Sequence, residues 1–192
     1  MDTDDYYAFA FRGLLTEQSL DRAGRQTKRV FSEESSRETR ERLGFSLLDE
    51  ELVASARKMA LVYTAICAFE NSVRAFVSKK LLEEKGENWW ALCVSEKIRT
   101  KAESRKTEEG SIRWHTPRGD DFINYTEFGD LVSIIQNNWD YFEPHITSID
   151  WARQIIQSLE RSRNVIMHSG ELAAQDIERV GMNIRDWIRQ VG

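Results

Sequence analysis

The chain has 192 residues, 41% hydrophobic and 31% charged, with a formal net charge of -5. That is enough apolar sequence for one domain with a real core, and the negative balance argues against coating by nucleic acid through bulk charge. No apolar run reaches the roughly 18–20 residues of a membrane span. The acidic start Met1-Asp2-Thr3-Asp4-Asp5 is unlike a secretory signal, so the sequence predicts a cytoplasmic protein with no membrane partner.

Residues 1–47 read as an N-terminal extension and 48–192 as the main domain. The extension opens with the apolar patch Tyr6-Tyr7-Ala8-Phe9-Ala10-Phe11. It then becomes densely charged: Arg22, Arg25, Lys28, Arg29, Arg37, Arg40 and Arg42 interleave with Asp21, Glu33, Glu34, Glu38 and Glu41. Mixed charge at this density predicts a solvated helix or arm. An arm anchored on a partner by Tyr6, Phe9 and Phe11 is the alternative.

From Leu47 the period becomes helical. Leu52, Ala56, Met59, Tyr63, Ile66, Val73, Val77 and Leu81 follow helical spacing, and Phe69 and Phe76 widen the stripe. Glu70 falls on it, where a solvated side chain is not expected. Gly86 is the expected stop. Asn88 is the expected cap of a helix from Trp89-Trp90 to about Arg105, with the two tryptophans as core or interface anchors. Cys67 and Cys93 sit in apolar helical patterns as reduced thiols.

Residues 104–124 read as a loop, punctuated by Gly110, Pro117 and Gly119. Between Glu96 and Arg118 the cations Lys97, Arg99, Lys101, Arg105, Lys106, Arg113 and Arg118 outnumber four glutamates, and Trp114 lies among them. A basic surface carrying an aromatic suits RNA contact; an ordinary solvated loop is the competing reading.

A further helix is predicted after Thr126, burying Phe128, Leu131, Ile135, Trp139 and Phe142 and stopped by Pro144. Thr147 and Asp150 resemble a capping box for the next helix, which Gly170 ends. A last helix from about Asp176 carries Ile177, Val180, Ile184, Trp187 and Val191. With no alternation long enough for a sheet, the fold class is all-α: a helical bundle with a charged N-terminal helical extension.

Chemistry concentrates at one helix end. Ile149, Ala152, Ile156, Leu159 and Ile166 form a stripe at steps of three and four, and Arg163 lies on it. A guanidinium there needs an acidic partner, a subunit interface or a ligand. Glu70 and Glu160 are the available acids, and Glu70 could equally serve Arg74. His168 follows Asn164 by four residues, on the same helix face. With 19 Arg and three His in the chain, an Arg-to-His spacing alone is common by chance, so its context must carry the signal.

That context is Arg163-Asn164-Val165-Ile166-Met167-His168-Ser169-Gly170, preceded by Tyr125-Thr126-Glu127-Phe128-Gly129-Asp130-Leu131 and Trp139-Asp140-Tyr141-Phe142-Glu143-Pro144. Together with Ala68-Phe69-Glu70-Asn71-Ser72-Val73-Arg74, these segments resemble the HEPN superfamily over about residues 50–190. The likeness is to the branch found at the C-terminal end of a eukaryotic nuclear RNA-surveillance endoribonuclease and in bacterial stand-alone proteins.

The resemblance implies a metal-independent endoribonuclease with no cofactor. Arg163 and His168 match its catalytic pair and Asn164 the polar residue beside the arginine; Glu70 and Arg74 are assigned a structural, supporting role from the residue pattern itself. It implies a homodimer with a composite cleft, products with 2',3'-cyclic phosphate and 5'-hydroxyl ends, and RNA as substrate. A toxin or phage-defence role follows, with an antitoxin, nucleotidyltransferase or defence complex as further partner. A silent HEPN-like module binding RNA, nucleotide or protein is the main alternative, and a structural helical adaptor a third. His115, His145 and His168 are scattered without metal-ligand spacing, so no metal site is expected.

Overall fold

The computed structural model describes residues 33–191 together with Thr16 and Ser19. The chain divides into two compact units, Met1–Glu50 and Glu51–Gly192. The aromatic anchors at Tyr6, Phe9 and Phe11 and the charges from Asp21 to Arg29 lie outside the described residues. In the first unit, α1 (Glu33–Arg42) exposes Arg37, Glu38, Arg40, Glu41 and Arg42, as a solvated helix does. It gives way at Gly44 (φ 65°) to a 3-10 turn over Phe45–Leu47.

The second unit is all-α among its described residues. Its axis is α2 (Glu50–Lys85), 36 residues without a glycine or proline, closed by Gly86 at φ 67°. Met59, Val62, Ile66, Phe69, Val73, Val77 and Leu81 form its buried ridge. The expected stripe is corrected at its start: Leu52 is 72% exposed, Tyr63 36%, and Ala56 is exposed too. A helix this long spans roughly 54 Å, more than its packing partners cover. Cover begins at Met59, whose sulfur accepts a hydrogen bond from Leu172 N at 3.3 Å.

The expectation that nothing in the chain could cross a membrane also needs correction. The stretch Glu50–Cys93 contains an 18-residue window of mean hydropathy 1.4, long and apolar enough by length and composition. This stretch nevertheless holds a buried carboxylate, Glu70, and lends its ridge to the core.

Helix α3 (Trp89–Cys93) is short, and Val94 and Ser95 in extended conformation separate it from α4 (Glu96–Ser111). The single helix expected here is therefore two, and α4 runs through Gly110 into the predicted loop. Asn88 makes no side-chain cap. A 3-10 turn over Phe122–Tyr125 leads to α5 (Phe128–Asn137), where Asp130 Oδ2 accepts from Glu127 N at 2.9 Å. Asn138 breaks the next predicted helix. Its amide donates to Cys93 O and Ile134 O, both at 2.8 Å, and α6 (Trp139–Phe142) follows.

Helix α7 (Ile149–Met167) is capped by Ser148, whose hydroxyl accepts from Trp151 N at 3.1 Å. Thr147, the expected cap, instead accepts from Gln190 on α8 (Ala174–Val191).

The core is tied across these helices by aromatic rings. Phe69 of α2 meets Phe128 of α5 and Trp187 of α8 edge-on, at 6.0 and 5.6 Å. Trp187 stacks on Trp151 of α7 at 5.6 Å. Trp90 stacks on Phe122 at 5.7 Å, in the anchoring role expected of it. Cys67 and Cys93 are both free, and burial pushes the Cys93 thiol up.

Candidate functional site

Ile155, Ile156 and Leu159 hold α7 in the core, so its next turns must carry Arg163 along the same face. The guanidinium, 27% exposed, reaches the buried Glu70 of α2. Arg163 Nη1 donates to Glu70 Oε2 at 2.8 Å and to Oε1 at 3.0 Å. Arg74, one turn along α2, donates to Glu70 Oε1 as well, and to Thr126 O at 3.2 Å. One carboxylate thus serves both arginines, and the choice the sequence left open is no choice. Burial opposes the Arg163 cation, but the Glu70 hydrogen bond and charge outweigh it, with help from Glu160 and Tyr63, and raise its pKa.

The triad has capacity to spare. Arg74 Nε and Arg163 Nε are buried without a partner, and Arg163 Nη2 makes no hydrogen bond among the described residues. Glu70 therefore answers the question of how a cation sits on an apolar stripe within one chain. No second subunit is needed for that purpose alone.

The end of α7 is fixed by a Schellman motif. Ser169 N donates to Ile166 O at 3.0 Å and Gly170 N to Val165 O at 2.9 Å. Ser169, not Gly170, takes the left-handed conformation, at φ 61°. Gly170 is needed for closeness: a Cβ there would lie 2.8 Å from Val165 Cγ1 and 3.0 Å from Val165 O. His168 and Asn164 are exposed, and the His168 ring has no hydrogen bond among the described residues. Five residues along a helix turn a side chain through about 140°. So Arg163 and His168 leave α7 in different directions.

Arg163 opens onto a cleft of about 620 Å³ whose lining also includes Tyr63, Cys67, Asn71, Asn124, Thr126 and Met167. Four arginines, Arg74, Arg105, Arg118 and Arg163, face two glutamates, Glu70 and Glu127. Glu127 is bound by Lys101 at 2.7 Å and by Arg105, whose cationic hydrogen bonds hold its carboxyl below the usual range. Arg105 Nη1 also donates to Tyr125 O at 2.9 Å.

Of the basic residues singled out in the sequence, Arg105 and Arg118 thus join Arg163, while Lys97, Arg99, Lys101, Lys106 and Arg113 do not line this cleft. Lys106 lies over the Phe122 ring at 4.6 Å and bonds Asp120 O. Trp114 is 86% exposed. Nor do His168 and Asn164 line the cleft. Asn71, Asn124 and Thr126 escaped attention as site residues. Asn71 and Thr126 lie inside the segments that carry the family resemblance, which was the available signal; Asn124 had none.

The pattern of the Swt1-like HEPN family matches residues 65–192, two-thirds of the chain and every residue that lines this cleft except Tyr63. The chain belongs to that family. HEPN domains are often ribonucleases, which makes this Swt1-like HEPN domain a nuclease- or RNA-related module on an all-α fold. Neither curated proteins nor solved structures give a match.

Proposed function

We propose that this HEPN domain is a metal-independent endoribonuclease that works as a homodimer, in the manner of a toxin or defence effector. The observation that carries the reading is the split of the motif. Arg163 is set on a polar cleft with a free Nη2, while His168 stands exposed and unpartnered about 140° around the same helix. Two copies packed through the ends of α7 bring the His168 of one to the cleft of the other. Val165, 41% exposed, and Met167, 61%, supply apolar surface beside the motif.

In that cleft Arg163 offsets charge on the scissile phosphate. The His168 brought to that cleft accepts the 2'-hydroxyl proton and then gives it to the 5'-oxygen, imidazole being the side chain suited to both roles. The 2'-oxygen bonds phosphorus and the P–O5' bond breaks, leaving 2',3'-cyclic phosphate and 5'-hydroxyl ends. No oxidation or reduction is involved. Asn164, exposed next to Arg163 but outside the cleft lining, hydrogen-bonds the strand beside the cleft in this reading.

A silent module that binds RNA, nucleotide or protein is the second reading. The engagement of Arg163 by Glu70 favours it, because a structural ion pair needs no substrate. Labelled RNA incubated with purified protein in EDTA separates the two. The wild type is expected to cleave, and Arg163→Ala and His168→Ala to lose at least a hundredfold in rate. Cleavage by neither wild type nor variants, or equal cleavage by all three, sinks the ribonuclease reading. Light scattering checks the dimer: a monomer at all concentrations overturns the composite site.

A further inference from the structure

The Arg163 cleft also has a wall outside the α-helices, held more closely than phosphate neutralisation requires. Its segment, Arg118 to Asn124, is pinned at several points. Arg118 Nε pairs with Glu109 at 2.6 Å, and the buried Tyr125 hydroxyl donates to Gly119 O at 2.9 Å. Gly119 adopts φ 153°, and a Cβ there would collide with the Asn124 amide nitrogen and stand 3.1 Å from its Cγ. The missing side chain at 119 makes the space in which the Asn124 amide sits. That amide is half-buried, lines the cleft and makes no side-chain hydrogen bond among the described residues. A held amide with its donor and acceptor both unused suits an incoming polar ligand.

Asn71 of α2 lines the same cleft with a second amide, its orientation set by Arg74 Nη1 at 3.2 Å on the oxygen and a weak contact to Cys67 Sγ at 3.8 Å. Arg163 and Arg118 line the same cleft, and Arg163 Nη2 and the terminal nitrogens of Arg118 have no hydrogen-bond partner among the described residues. Two cationic groups and two amides lining one cleft match a nucleotide with its flanking phosphates, guanidinium for phosphate and amide for base. The volume of about 620 Å³ falls in the ordinary range for small-ligand sites, roughly 300–1,000 Å³.

We propose that this cleft is a base-reading subsite that takes one unpaired nucleotide of RNA beside the scissile phosphate, with Asn124 and Asn71 reading the base and Arg118 holding the flanking phosphate. This rests on the ribonuclease reading and adds a specificity to it. An amide offers an acceptor and a donor side by side, the complement of the N6 and N7 edge of adenine, so the expected preference is for adenine. The base must be unpaired, since the N6 and N7 edge of adenine in an A-form duplex lies in a deep, narrow major groove that side chains cannot read. Trp114, on the same loop, highly exposed and with its ring edge-on to His115 at 5.7 Å, offers a stacking surface for a neighbouring base.

Two measurements test this. Cleavage of a single-stranded RNA library with four randomised positions reports the base frequency at each position. Binding of fluorescent tetranucleotides to His168→Ala protein reports the subsite without chemistry. Enrichment of adenine at one fixed position is expected in both, by about fivefold to a hundredfold. In Asn124→Ala the ratio of preferred to other bases should collapse towards one. Asn71→Ala, on the rigid α2, is the second variant should the loop variant melt early, and Arg118→Ala should weaken all sequences alike.

Cleavage without base preference, or a preference that survives both asparagine variants, overturns the subsite and leaves the ribonuclease reading standing. Adenine-selective binding without cleavage supports the subsite and removes the ribonuclease reading. Absence of both binding and cleavage overturns both and favours a protein ligand.

Discussion

Removing the Glu70 carboxylate leaves Arg74 and Arg163 facing each other with only Thr126 O and Asn71 as acceptors. Deleting one member of a buried ionic network costs several kcal/mol, because the charges left behind are unpaired. Arg163 retains some access to water, so Glu70→Ala should cost about 3 kcal/mol in urea unfolding, or roughly 6–12 °C in Tm. Combining it with Arg163→Ala should cost less than the two single losses added, as one of the stranded charges is then gone. Full additivity, or a loss below about 1 kcal/mol, means the triad is a solvent-screened surface feature.

The sequence places Glu70 and Arg163 each on an apolar stripe, which is the physical oddity that flags them. It cannot pair them, since 93 residues separate them and the register of α2 against α7 is a tertiary property. Still less can it show that one carboxylate serves two cations. Asn124 is illegible for a simpler reason: its position depends on the empty space at Gly119, and a glycine in a polar stretch looks like any turn.

Among the elements, α7 matters most, because its C-terminal turn carries the motif. Gly170→Ala pushes a methyl group against Val165 Cγ1 and O, so the Schellman turn must loosen or shift. A cost of about 1–2 kcal/mol is expected. RNA cleavage should also fall, because His168 sits within that turn. Ser169→Gly works in the opposite sense. It relieves a non-glycine residue at φ 61° and should add about 0.5 kcal/mol of stability. Thermal melts of the two variants should therefore move in opposite directions; movement in the same direction would remove the assigned role of the turn.

Element boundaries show where sequence patterns run out. Apolar periodicity locates α2, α5, α7 and α8, whose stripes face one core. It fails between Trp89 and Ser111, where α3 and α4 are joined with only Val94 and Ser95 between them. The cue was present, since Ser95 followed by Glu96 is a helix start, but the continuous run of helix formers conceals it. Gly110 misleads in the other direction: a glycine in the last turn of a helix costs at most about 1 kcal/mol, and the packing of α4 against the Phe122–Tyr125 turn outweighs it. Thr147 and Ser148 were both able to cap α7; the reach of Gln190 from α8 decides which one does.

At the level of the whole molecule, the net charge of -5 and the arginine-lined cleft predict different ways of meeting RNA. Most basic residues near the cleft are already committed: Arg105 and Lys101 to Glu127, Arg118 in part to Glu109, and Arg74 to Glu70. Among the described residues lining the cleft, Arg163 and Arg118 are the arginines with an unpartnered terminal nitrogen for phosphate, so each bound strand should release the counterions of about two or three phosphates. For single strands the slope of log affinity against log salt is roughly -0.7 per phosphate, which gives a slope between about -1.4 and -2.1. Fluorescence anisotropy of a short single-stranded RNA on His168→Ala protein, from low to moderate salt, measures it. A slope of roughly -4 or steeper requires many more cations than this cleft can offer. Binding would then have to run along the surface that carries Lys97, Arg99 and Arg113, and the nucleotide would be held by field strength in place of fitted amides. A shallow slope with strong base selectivity is the signature of the narrow site, in which an acidic protein grips RNA at one nucleotide and leaves the rest of the strand unbound.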